Sequence, residues 1–314
     1  MERTNFMKSN AHRLILLVSL LLAGCCFADT NTFTVATYNL ENWLLMERRG
    51  GTNSPKPVAE RNAVTKVLAG IQPDVLGVEE MGSTNELADL RTRLEAQGLN
   101  YPHTEWIQGA DPNRHVALLS RFPIVERFPH TNDTYTLNDQ PVRINRGILD
   151  VRIQVNPAYS FRALVVHLKS KRQTETGDQE YMRREEAKLL RAKIENILAQ
   201  DPNENFIVMG DFNDTPRSPA ITELTGTNNH NLFLLHPRDS KGYDTTHFWK
   251  AHREFSRIDY IIASPGMSNE FVTGSAHIAD PHGWLDASDH RAVHAQFYTT
   301  DRGTNRPARV TKTK

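Results

Sequence analysis

Phe206-Ile207-Val208-Met209-Gly210-Asp211-Phe212-Asn213 decides the reading of this 314-residue chain. Phe206 to Met209 is an apolar run of strand length and strand-forming composition, as expected for a strand buried on both faces. It stops in a glycine that lets the backbone turn closely, and then in a carboxylate and an amide. The same build recurs along the chain. Phe33 to Leu40, Val75 to Glu79, Val116 to Ser120, Ile148 to Val155, Phe161 to His167, Ile258 to Ile262 and Ala292 to Tyr298 read as further strands on their Val/Ile/Leu/Phe content. Most of them meet a polar group at one end. Asn39 and Glu41 close the first, Glu79 and Glu80 the second and His167 the one that ends in Val165-Val166, while Arg257 and Asp259 open Ile258–Ile262 and Ser288-Asp289-His290 lead into the last.

Helical periodicity fills the gaps. Val64, Val67, Leu68 and Ile71 repeat at i, i+3, i+4, i+7; Leu87, Leu90 and Leu94 mark a second helix, stopped by Gly98; Ala187, Leu190, Ile194, Ile197 and Leu198 define a third and longer one. On that third helix Arg183, Arg184, Glu185, Glu186, Lys188 and Arg191 read as a solvated face held by i, i+4 pairs. Strands alternating with helices give an α/β architecture.

Composition narrows the class. With 39% hydrophobic and 24% charged residues the chain can bury a core, and 37 basic against 37 acidic side chains remove any argument from global charge for a nucleic-acid partner. Arg3, Lys8 and Arg13 precede the apolar run Leu14 to Ala23, a basic n-region and an h-region of export-signal length, too short for a permanent membrane span. Residues 1–28 are therefore expected to be a signal peptide. Leu22-Ala23-Gly24-Cys25 resembles a bacterial lipobox, in which Cys25 is lipidated and anchors the protein to a membrane; cleavage after Ala28 is the alternative. The two cysteines, Cys25 and Cys26, both lie in this segment, so the domain that follows, residues 31–299, has no disulfide and no thiolate metal site. Residues 300–314 read as a disordered basic tail.

Each polar strand end alone is an ordinary turn residue. Six together are not, because ligand crevices of packed α/β sheets lie at such ends and no core needs so many carboxylates and imidazoles in one place. Tyr-Asn-Leu-Glu-Asn at 38–42, Glu79-Glu80, Leu-Ser-Arg-Phe-Pro at 119–123, His-Leu-Lys-Ser at 167–170, Gly-Asp-Phe-Asn-Asp at 210–214, Ser-Arg-Ile-Asp-Tyr at 256–260 and Ser-Asp-His at 288–290 stand in the order of the endonuclease/exonuclease/phosphatase superfamily, which the chain resembles over about residues 33–298. That resemblance implies a four-layer α/β sandwich, two mainly antiparallel sheets packed face to face with helices outside. It also implies a metal-dependent phosphoric ester hydrolase.

Phosphodiester hydrolysis gathers negative charge on phosphoryl oxygens and the leaving alkoxide, so it needs a cation, hydrogen-bond donors and a positioned water. Glu80 is the expected metal ligand, a hard oxygen suited to Mg2+, with Mn2+ or Ca2+ as alternatives; Asn39, Glu41 and Asp289 complete the shell. Glu79, on the opposite strand face, is structural. The resemblance places Asp211 beside the attacking water, Asn213 against Asp211 and the phosphate, His290 as donor to a phosphoryl oxygen and Asp259 behind His290. It makes His167 a second phosphate contact, although the carboxylate that backs this histidine in the deoxyribonucleases falls at Arg114. Arg146, Lys169, Lys171 and Arg172 lie next to the site in sequence, either as phosphate contacts or as ordinary solvated loop charges. Trp249 and Trp284 either stack on substrate or anchor loops. The expected substrate is a nucleic-acid phosphodiester cleaved by an exported monomer, periplasmic or secreted. A sphingomyelinase-like phospholipid phosphodiesterase is the runner-up, ahead of an inositol-phosphate phosphatase and an inactive binding module.

Overall fold

The computed structural model describes residues 31–303 apart from 49, 176 and 227–231, so the export segment and residues 304–314 of the basic tail lie outside the described residues. Twelve strands make two sheets: β1 Thr32–Trp43, β2 Val75–Met81, β3 His103–Ile107, β4 His115–Ser120, β5 Ile124–Arg127, β6 Ile148–Asn156, β7 Tyr159–His167, β8 Phe206–Asp211, β9 Phe233–Leu234, β10 Asp259–Ala263, β11 His277–Ile278 and β12 Val293–Tyr298. The first sheet runs β11-β12-β1-β2-β4-β3 and the second β9-β10-β8-β7-β6-β5. Each sheet is antiparallel except for one parallel pair, β1 with β2 and β7 with β8.

Strand alternation builds three cores from these sheets. Phe33, Val35, Val75 and Leu118 of the first sheet meet Val151, Phe161, Val165, Ile207 and Met209 of the second, and this cluster glues the sheets together. At Gly77 they approach closely: a Cβ there would lie 3.2 Å from Met209 and Val165. The other face of the first sheet, Ala36, Tyr38, Leu76 and Val78, is covered by α1 Val58–Ile71 and α2 Thr84–Glu95. The other face of the second, Leu164, Val166, Val208 and Ile262, is covered by α3 Gln179–Gln200 and α4 Pro219–Thr225. The expected four layers are present.

All eight expected strands and all three expected helices form. Gly98 ends α2 as read, at φ +81, with the Leu99 amide donating to Leu94 O at 2.9 Å. The charged run of α3 is a correction. Arg183 and Glu186 are buried, not solvated: Arg183 Nε donates to Asp214 Oδ2 at 2.8 Å, and the Glu186 carboxylate accepts the amides of Asn145 at 3.0 Å and Lys169 at 2.7 Å. Both fall on the angular stripe of Leu190 and Ile194, so position around the helix, not charge, settled where they point.

Candidate functional site

The two parallel pairs place their strand ends at one edge of the sandwich. In the second sheet His167, Asp211 and Asp259 stand side by side across β7, β8 and β10. In the first, Asn39 pairs with Glu79 across β1 and β2. Asn39 Nδ2 then donates to Asp211 Oδ2 at 3.0 Å, a hydrogen bond from one sheet to the other. Its Oδ1 accepts the Glu41 amide at 3.0 Å, so Asn39 couples the Glu41 loop to Asp211.

Gly210 fixes this register. It sits at φ +144, and a Cβ on it would lie 1.9 Å from Val166 O, so only glycine permits β8 to close on β7 here. Asn213, three residues on, is left-handed at φ 52 and wraps its backbone amide and side chain onto the Asp211 carboxylate at 2.8 and 3.3 Å. Glu41, Asn42 and Glu80 are left-handed as well. Four non-glycine residues in that region, at about 1–3 kcal/mol each, are strain concentrated at one place in the fold.

Two aspartates directly opposite each other repel, and His290 sits against both. Its Nδ1 lies 3.0 Å from each oxygen of Asp259, and Nε2 is 3.8 Å from Asp211 Oδ2. Burial works against a charged imidazole, but Asp259, Asp211 and Asp289 outweigh it and hold His290 well above the ordinary histidine range. Burial, with Asp259 adding to it against the pull of His290, pushes Asp211 up to about 7. His167 is the opposite case: burial, then the charges of Arg146, His290, Arg114 and Lys169, drive it well below its ordinary value, so it is neutral. Its Nε2 is 3.4 Å from Asp211 Oδ2, and its buried Nδ1 has no hydrogen-bond partner among the described residues.

On the open side Glu80, 19% exposed, accepts the Asn42 amide at 2.9 Å and faces Arg114 at 3.8 Å. Glu41 Oε2 accepts the Asp289 amide at 3.0 Å. Burial raises the Glu41 carboxyl and Asp289 raises it further, against Lys56 and Lys250. Glu41 and Asp289 are brought together against their mutual repulsion, and their hard oxygens and those of Glu80 suit a divalent cation that keeps several waters and takes few protein oxygens. Glu80, Glu41 and Asp289 do not close to a common ligand distance as a triple. The sets that do, within 4.8 Å among the described residues, are Asp211–Asp259–His290 and His247–Asp289–His290. Glu79 is wholly buried, bonded to Thr37 Oγ1 at 2.8 Å, and burial pushes its pKa well up.

Of the phosphate contacts expected, Arg146 is 7% exposed, with Nε 3.3 Å from Asp111 and two nitrogens left without a hydrogen bond. Lys169 is beside it; Lys171 turns to Asp214 at 3.1 Å, and Arg172 is exposed. Arg114 does not stand behind His167 as a partner: its guanidinium donates to Asn42 Oδ1 at 2.6 Å. Trp249 is 48% exposed, and Trp284 stacks under Arg291.

Several contacts at the site escape a reading by motif, even where, as at Ser288, the residue stands in one. Thr246 is buried and its Oγ1 accepts the amides of Ile258 and Asp259 at 3.0 and 3.1 Å, presenting Asp259 to His290. Ser288 Oγ donates to Asn39 O at 2.8 Å and accepts the His290 amide at 3.0 Å. Lys56 is buried with Nζ donating to Glu41 O at 3.0 Å, which holds the left-handed loop. For Glu186 the available signal is its place on the buried Leu190–Ile194 stripe of α3.

The family model described as Endonuclease/Exonuclease/phosphatase family matches residues 36–290. No curated protein matches the chain by sequence. Among solved structures, an endonuclease/exonuclease/phosphatase from Bacteroides vulgatus superposes with a TM-score of 0.61 at 19% identity, covering 86% of this chain and 100% of that one. Sphingomyelinase C from Streptomyces griseocarneus gives 0.59 at 16%, covering 85% and 100%. Truncated TDP2 from Caenorhabditis elegans gives 0.57 at 16%, covering 85% and 98%. At these identities the likeness is one of fold.

Proposed function

The chain belongs to the endonuclease/exonuclease/phosphatase family, whose members act on phosphoester bonds, and from that premise we propose that it is an exported, Mg2+-dependent phosphodiesterase that cleaves nucleic acid. The observation that carries the reading is Asp211, a carboxylate pushed up to about 7 and set 3.8 Å from the outer nitrogen of a protonated His290. Asp211, held by Asn39 and Asn213, orients a water and takes its proton as the oxygen attacks phosphorus. His290 Nε2–H, with the imidazole fixed by Asp259, donates to a non-bridging oxygen as charge develops there. Arg146, with donors to spare in a buried setting, and Lys169 meet phosphate oxygens. When bound, a divalent cation at Glu80, Glu41 and Asp289 supplies neutralisation of phosphoryl and leaving-group charge.

The cationic lining by Arg114, Arg146 and Lys169 around neutral His167 supports a polyanionic substrate. A second reading, a phospholipid phosphodiesterase, rests on the hairpin His247–Trp249 and Glu254–Ser256 beside His290, where Trp249 and Phe255 are 48% and 53% exposed. The basic-then-apolar leader supports export to the periplasm or medium, with Cys25 as the anchor if lipidated. Plasmid DNA, RNA, sphingomyelin and inositol phosphates, each offered with Mg2+ or excess EDTA to the wild type and Glu80→Ala, test the proposal. Metal-dependent nucleic-acid cleavage lost in Glu80→Ala is expected. Full turnover in EDTA, or turnover of lipid alone, contradicts it.

A further inference from the structure

His247 is the residue at this edge that the reaction leaves unused. It opens the hairpin, bridges by backbone to His290, and lays its ring against the His290 ring with centroids 4.5 Å apart. One nitrogen of His247, one of His290 and one carboxylate oxygen of Asp289 lie within 4.8 Å of one another. Both rings are oriented from behind. His290 Nδ1 is bound to Asp259, which leaves Nε2, 4.0 Å from Asp289 Oδ1. His247 Nδ1 lies 3.4 Å from Ser256 Oγ, which leaves its Nε2. An imidazole whose inner nitrogen is held by a protein oxygen and whose outer nitrogen is free is the arrangement of metal-ligating histidines. Two imidazoles and one carboxylate are the donor set of Zn2+ and its neighbours, whereas Mg2+ demands oxygen.

We infer that the chain carries a second cation site, His247–His290–Asp289, that selects Zn2+ or Co2+ over Mg2+. A tetrahedral shell with ligands at about 2.0–2.1 Å spaces the donors roughly 3.3 Å apart, so small side-chain rotations close the set around an ion, with water in the fourth position. The site shares Asp289 with the oxygen-rich side but not Glu80. An ion there displaces the proton on His290 Nε2, the atom assigned to the phosphate, so Zn2+ inhibits hydrolysis. That consequence rests on the proposed activity; the binding does not.

The test is calorimetric titration of the full chain with ZnCl2 in saturating Mg2+, with Co2+ absorption in the visible as a second readout. One equivalent bound to the wild type is expected. His247→Phe, which keeps an aromatic ring against His290, and His247→Gln weaken it by at least the roughly tenfold that loss of an outer partner alone costs, while Glu80→Gln keeps it; thermal unfolding of each variant shows it folded. No Zn2+ bound in the presence of Mg2+, unchanged affinity in both His247 variants, or a loss as large in Glu80→Gln overturns the inference. A protein that binds Zn2+ through His247 yet turns over none of the phosphoesters leaves this site standing and removes the proposed activity; the reverse result removes the site alone.

Discussion

The parallel pair β7–β8 buries a carboxylate at each of its ends, and the two ends do different things. At one, Asp211 is pushed up to about 7; at the other, Glu270 is also pushed up to about 7, in both cases mainly by burial. Each carboxylate is satisfied by protein donors: Asp211 by Asn39 and Asn213, and Glu270 by the Tyr159 hydroxyl, Asn205 Nδ2 at 3.2 Å and the Arg302 amide at 3.4 Å. The contrast lies in their surroundings. Asp211 faces a second aspartate in register, two histidines and left-handed Asn213, whereas Glu270 meets neutral donors on ordinary backbone. A raised carboxyl pKa reports burial. Proton-bearing neighbours and stored strain are what mark the working end.

The largest effect belongs to the element that makes the working end. Gly210→Ala drives a methyl into Val166 O and is expected to cost on the order of 4 kcal/mol or more, seen as lost soluble protein or a collapsed Tm. A Tm within a few degrees of wild type would mean β7 and β8 are not locked as described. Next, His290→Ala is expected to cost roughly 10²–10³ in kcat, and the double variant with Asp259→Ala little more, since the pair acts as one unit. His167→Ala, without a partner on Nδ1, costs less, with more of the loss in KM. Multiplicative losses of equal size for all three singles would undo that ranking.

The far end responds to pH and not to substrate. Glu270 keeps its proton in the fold up to about 7 but loses it near 4.5 when unfolded. Its contribution to stability is therefore complete below about 4.5 and is lost as pH rises through about 7. Relative to Glu270→Gln, the wild-type Tm should fall across that window while kcat stays the same in both. Parallel Tm curves would show that Glu270 does not titrate there.

The residues that meet at the candidate site could be picked out because they interrupt apolar runs: His167, Asp211 and Asp259 stand at strand ends, and Asn39 and Glu80 fall in the closing stretches of β1 and β2. Edge strands could not. His103–Ile107 is mixed in polarity because it lies half exposed at the sheet margin. Arg183 and Glu186 look like surface charges by residue type, yet angular position puts them on the buried face of α3. Thr246 and His247 stand a dozen residues from Asp259 on a connection without periodicity, and only tertiary pairing carries them to His290.

The comparison of the two ends comes down to Asp211. Asp211→Asn keeps the shape and one of the two accepting oxygens, turns the other into an NH2 that faces a donor, and removes the base and its buried charge. Measured together with Tm, kcat on the preferred phosphodiester should fall by roughly 10²–10⁴ while Tm holds or rises, as relief of a strained working site allows. Turnover within a few-fold of wild type in a folded Asp211→Asn protein would contradict the account.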